Sequence, residues 1–124
     1  VAKALKSKII DQLRKLSRWW EEKNKAFLRE KVGKDLYKCQ ECGYNGSRTE
    51  MQADHIEPIV PLEGLEPWSW DIYISRMFCD AAGFQILCKN KCHAAKTRQE
   101  QVERKRIKDG RKTKAFNKKA IKKD

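Results

Sequence analysis

The sequence predicts a small α+β domain. Three observations carry this: a helix-periodic run at the start, two short strand-like segments further on, and two close pairs of cysteines around those segments. At 124 residues the chain is long enough for one domain and one site, and too short for two domains with separate cores. Charged residues make up 37% and apolar residues 40%, so the core is thin and needs reinforcement by metal or disulfides.

Within residues 5–32, the apolar residues Leu5, Ile9, Leu13, Leu16, Trp20, Phe27 and Leu28 recur at steps near three or four, which predicts one helix ended by Gly33. Lys6, Lys8, Arg14, Lys15 and Arg18 fall largely off that stripe, leaving one face to pack and another to meet solvent or phosphate. Trp20, on the stripe, reads as core; Trp19 and Trp20 are otherwise available to stack on bases or to serve an interface. Residues 37–44 form a turn holding Cys39 and Cys42, and alternation over 50–56 predicts a short strand containing Asp54-His55. Pro58, Pro61, Gly64 and Pro67 mark a long loop, which in so small a domain is usually functional. Ser69 can cap a short helix over 70–78, with Trp70, Tyr73, Ile74 and Met77 on one face. Residues 84–87 read as a second strand, which ends in Cys88-Lys89-Asn90-Lys91-Cys92-His93 and leads into a helix from Ala94. Beyond about Lys108, Asp109-Gly110 is expected to interrupt that helix and leave a frayed, Lys-rich tail. The chain thus divides into a basic amphipathic N-terminal helix (1–36), a cysteine-containing core (37–98) and a basic C-terminal helix and tail (99–124).

The formal net charge is +12, and it is unevenly spread. Residues 1–38 carry +7, residues 39–93 carry −4 and residues 94–124 carry +9. An acidic middle holding every Cys and both His between basic arms looks like a chemical centre carried between electrostatic handles, with nucleic acid the first-choice partner and an anionic membrane the second. No stretch approaches the roughly 20 apolar residues of a membrane span, and no secretory signal pattern is evident, so a soluble, cytoplasmic protein is expected.

Five cysteines without a secretory signal suit metal better than disulfides, and the arithmetic fits four ligands and one spare. Cys39-x2-Cys42 and Cys88-x3-Cys92 each have the spacing of half a tetrahedral zinc site, and the zinc would tie the start of the core to the turn before its last helix. Cys79, lacking a near partner, is the spare. Asp54 offers a carboxylate and His93 a ring nitrogen to a divalent ion, while adjacent His55 has the ordinary pKa of a base near neutrality. His93 also reads as a bystander of the zinc or a ligand in place of one cysteine. Glu57 lies near enough in sequence to assist a metal, and Lys96, one turn past His93, to contact a phosphate.

The pattern Cys39-x2-Cys42, Asp54-His55-Ile56-x-Pro58, Phe84-Gln85-x-Leu87-Cys88-x3-Cys92-His93-x2-Lys96-Thr97 resembles the HNH endonuclease family with its ββα-metal fold, and most closely the small zinc-containing proteins of bacteriophages and bacteria. The match covers about half the chain. The resemblance implies metal-dependent hydrolysis of DNA phosphodiester bonds, with Asp54 and His93 holding the catalytic ion (Mg²⁺ or Mn²⁺, with Ni²⁺ or Zn²⁺ as alternatives), His55 as general base, and Cys39, Cys42, Cys88 and Cys92 on structural zinc. Lys96, Arg98, Arg14, Lys15 and Arg18 would then contact DNA, with weak sequence preference because no helix arrays Arg and Asn for base edges. A phage terminase partner and a host-cytoplasmic location, if the protein is phage-encoded, follow from the same resemblance; monomer and dimer stay open. Two features depart from the family pattern: Gly83 stands where Asn is usual, bearing on the brace between the strands, and the second Cys pair is spaced by three residues, which shifts His93 by one position. The competing readings are a non-catalytic zinc-stabilised nucleic-acid module and an interaction protein docking through its N-terminal helix.

Overall fold

Two antiparallel sheets and four helices make up the computed structural model, which describes residues 3–122, with side chains described as far as Arg111. The mixed α+β class is the one expected. The order is α1 (Lys3–Ser17), α2 (Glu21–Arg29), β1 (Lys31–Gly33), β2 (Leu36–Lys38), β3 (Asn45–Gly46), a 3-10 turn Arg48–Glu50, β4 (Met51–His55), α3 (Trp70–Met77), β5 (Phe84–Cys88), a π turn Lys89–His93 and α4 (Ala94–Lys122).

The single N-terminal helix expected from the period is two helices. Trp20 adopts extended geometry (φ −63°, ψ 118°) at the head of α2. Its indole turns inward, where Nε1 donates to the Cys79 carbonyl at 2.5 Å and the ring meets Phe78 edge-on at 5.5 Å. A half-buried indole of this size, hydrogen-bonded and ring-packed, outweighs one helical residue, and Glu21 and Glu22 then suit the new N-terminus. The apolar stripe is only partly packed: α2 buries Ala26 and Phe27 but leaves Leu28 exposed, and in α1 Ile9 and Leu13 are half-buried while Leu5 is 51% and Leu16 62% exposed. Gly33 does not end the helix either. The chain leaves α2 at Glu30 and forms a three-residue strand, too short to show a period, before Asp35 (φ 50°) turns it into β2.

Both strand expectations in the core hold. β4 and β5 pair from Met51↔Cys88 to His55↔Phe84, with Asp54 opposite Gln85. Met51, Ala53, Phe84, Ile86 and Leu87 pack under α2 and against Tyr37 and Cys39. Ser69 caps α3 as expected, its Oγ accepting the Ile72 N–H at 3.2 Å, and Tyr73 and Met77 are buried while Ile74 stays exposed. α4 runs unbroken through Asp109 and Gly110. A glycine costs a helix interior about 1 kcal/mol, too little to stop one of this length.

Candidate functional site

The β4–β5 hairpin has two chemically different ends. At one, Cys39 follows β2, Cys42 lies in the next turn, Cys88 closes β5 and Cys92 lies in the π turn. All four sulfurs are within 4.8 Å of one another. Zn–S bonds of about 2.3 Å set sulfurs roughly 3.8 Å apart across a tetrahedron, and Cys42 Sγ and Cys88 Sγ stand 3.8 Å apart. The Cys88 and Cys92 amides donate to Cys39 Sγ and Cys88 Sγ, each at 3.4 Å. Burial pushes the Cys39 thiol up, but the backbone N–H groups of Cys42, Cys88 and Glu41 outweigh it and bring the thiol down to about 6. Cys92 is pushed up to about 12, by burial first and then by its hydrogen-bonded thiol neighbours. Four clustered cysteines with this geometry can hold one structural metal ion such as zinc. Cys79 is apart from them, half-buried, its thiol raised mainly by burial.

At the other end, strand alternation sends Asp54 and His55 different ways. The His55 ring leans on Phe84, with centroids 4.7 Å apart, and its Nε2 lies 2.9 Å from the Met77 carbonyl. A carbonyl only accepts, so Nε2 carries the proton and Nδ1 keeps its lone pair. Burial lowers the His55 pKa below 6.5, helped by the charges of Lys23 and Lys96; the Met77 hydrogen bond and Asp54 oppose this. Asp54 turns toward α4. Its Oδ1 lies 3.5 Å from His93 Nε2, and its Oδ2 accepts from Gln85 Nε2 at 3.1 Å.

His93 is therefore beside Asp54 and outside the cysteine cluster. The extra residue in Cys88-x3-Cys92 is accommodated by the π turn, which carries one residue more per turn than an α-helix and recurs at functional sites.

Lys96 ion-pairs with Asp54 Oδ2, donates to the His55 carbonyl at 2.6 Å and pairs with Glu100 at 3.1 Å. Its ammonium is thus engaged within the site, whereas Arg98, Lys15 and Arg18 are exposed. Arg14 lines a cleft of about 410 Å³ with Asp54, His55, Lys6 and Arg104. Glu57 lines a different groove, with Ile72 and Cys79. Trp19 is 87% exposed.

Several positioning residues escaped the sequence reading because an arginine that caps carbonyls leaves no pattern. Arg104 donates to the Val60 and Pro61 carbonyls at 2.7 and 2.9 Å and pins the long loop to α4. Arg29 reaches the Phe84 and Ala81 carbonyls at 2.9 and 3.1 Å, tying α2 to the hairpin. Lys6 sits 3.6 Å from the Trp68 ring centroid, holding α1 over the cleft.

No family model, curated protein or solved structure matches the chain. Among the described residues, no helix is long and apolar enough to cross a membrane.

Proposed function

We propose that the protein is a metal-dependent endonuclease of the HNH type, hydrolysing DNA phosphodiester bonds with weak sequence preference, its ββα-metal core being β4, β5 and α4. The observation that carries this reading is the convergence of Asp54 Oδ1 and His93 Nε2, 3.5 Å apart, next to a His55 whose hydrogen bond to Met77 leaves Nδ1 as the basic nitrogen. Adjacent ligand positions on a small octahedral ion are about 3 Å apart, so this oxygen and nitrogen fit one divalent cation after a small adjustment. Bound there, Mg²⁺ or Mn²⁺ would supply charge stabilisation to the phosphate and the departing oxygen.

The chain's own residues do the rest. His55, kept neutral by burial, takes the proton from the attacking water at Nδ1. Water adds to phosphorus as the bond to the 3′ oxygen breaks, and the departing oxygen takes a proton from solvent, leaving 5′-phosphate and 3′-hydroxyl ends. Lys96 and Gln85 hold Asp54 in place, and zinc in the four cysteines fixes the turn that carries His93. Arg14, Lys15, Arg18 and Arg98 supply phosphate contacts and a steep salt dependence of binding. Gly83, where the family carries Asn, belongs to the same account. A Cβ built there would lie 2.6 Å from Cys79 Sγ, so the thiol fills the space a side chain would need, while the Gly83 carbonyl braces the loop by accepting the Ile56 N–H at 2.9 Å. Work beside a phage terminase is part of the proposal through the sequence resemblance alone.

The test is incubation of supercoiled plasmid with the protein and with His55→Ala, in Mg²⁺, in Mn²⁺ and in chelator. Metal-dependent nicking or linearisation that falls about 10²–10⁴-fold in the variant is expected. DNA binding without cleavage in any metal would instead establish the non-catalytic zinc module, which Lys96 seated on Asp54 also accommodates.

A further inference from the structure

The two oxygens of Asp54 face different partners. Oδ2 receives the Lys96 ammonium and the Gln85 amide, whereas Oδ1 has, among the described residues, the His93 ring as its polar partner. Lys96 is no surface lysine that happens to swing near. An ammonium has three donors, and the three acceptors around this one are Asp54 Oδ2, the His55 carbonyl and Glu100 Oε1. The side chain is 23% exposed and comes from the first turns of α4, whose start is fixed by the Cys88–Cys92 turn.

Resting on the endonuclease reading, we infer that Lys96 is a positioning residue that sets how Asp54 binds a divalent cation: it occupies Oδ2, leaves Oδ1 with His93 as the ligand pair, and keeps the affinity low. Two consequences of the geometry support this. With Oδ2 taken by two donors, the carboxylate cannot grip a cation through both oxygens. A fixed positive charge in contact with the carboxylate also opposes an incoming dication directly, and at separations of a few ångströms that opposition is worth about a factor of ten or more in affinity even under strong solvent screening. The cation is then held weakly and exchangeably, in contrast to the ion enclosed by four thiolates. Glu100, paired with Lys96 on its far side, helps to keep the ammonium in place.

The experiment is a Mn²⁺ titration of the zinc-loaded protein, followed by the electron paramagnetic resonance signal of free Mn²⁺, for the wild type, Lys96→Met, Lys96→Arg and Asp54→Asn. Lys96→Met is expected to bind Mn²⁺ about tenfold more tightly. Lys96→Arg, which keeps the charge, is expected to stay close to the wild type, and Asp54→Asn to lose binding. Lys96→Gln, which removes the charge but retains a donor, is expected to tighten binding in the same direction and replaces the Met variant if that fails to fold. Unchanged or weaker binding in the neutral Lys96 variants, with binding still lost in Asp54→Asn, overturns the inference and leaves the endonuclease reading standing. Binding in Asp54→Asn equal to the wild type overturns the assignment of the cation to Asp54, and the inference with it.

Discussion

The cysteine end and the acid–histidine end of the hairpin are three to four residues apart along the same two strands, roughly 10–13 Å, yet they are built on opposite principles. The cysteine end is closed: three of its four sulfur-bearing residues are buried, and backbone amides point at its sulfurs. The acid–histidine end is half-open, with the His93 side chain 34% exposed and the charges of Asp54 and Lys96 satisfied by one another. A closed site gains stability from what it binds. A half-open one keeps its groups aligned while leaving room for exchange. The difference predicts that damage at the first end is read in folding, and damage at the second in chemistry.

The largest expected effect follows from the closed end. Structural zinc contributes on the order of 10 kcal/mol in small domains, more than the whole stability of most of them. Cys39→Ser, or strong chelation of the wild type, should therefore abolish cooperative unfolding, seen as loss of the thermal transition in circular dichroism. His55→Ala should keep that transition. A cooperative melt in Cys39→Ser would show that the two ends do not differ in this way.

A smaller effect sits between the ends. Gly83→Ala would set a Cβ 2.6 Å from Cys79 Sγ and 3.2 Å from Cys79 Cβ. Overpacking of this kind costs about 1–3 kcal/mol, measurable by urea unfolding, and Cys79→Ala in the same chain should restore part of it. Full additivity of the two substitutions would mean that they do not share the space.

The smallest effect is in pH. His55 has a lowered pKa in the folded protein, so between that value and 6.5 the unfolded chain binds the extra proton and the folded one does not. The stabilisation is fully present above pH 6.5 and is lost as pH falls through the folded value. Urea unfolding of the zinc-loaded protein at pH 7 and pH 5.5 should show a larger loss for the wild type than for His55→Gln. Equal losses would assign the acid sensitivity wholly to the thiolates.

The sequence was most legible where spacing has chemical meaning. Two Cys pairs were enough to foresee the cluster; a shared role for Asp54 and His93 came from the family resemblance, and their distance was not readable from spacing. Periodicity misled where one residue's tertiary contacts decide the backbone. The helix broke at Trp20 because the indole has a carbonyl and a phenyl ring waiting 59 and 58 residues away in sequence, which no local window can contain. β1, β2 and β3 were invisible because strands of two or three residues have no period. Lys96 read as a phosphate contact, since a lysine one turn past a histidine says nothing about a carboxylate arriving from a strand 42 residues earlier.

The π turn also sets a rule for how the gene can change length. The turn already absorbs one residue beyond an α-helical turn; a further residue between Cys88 and His93 would rotate α4 about its axis by about 100° and slide it by about 1.5 Å, carrying His93 and Lys96 off Asp54 together. The loop spanning residues 56–69 connects elements already held by Arg76 and Arg104 through the Pro58, Val60 and Pro61 carbonyls, and its tip can lengthen or shorten without turning anything. Further insertions should be selected against in the five-residue turn and tolerated a short distance away, so phase, as much as residue identity, is what this junction encodes.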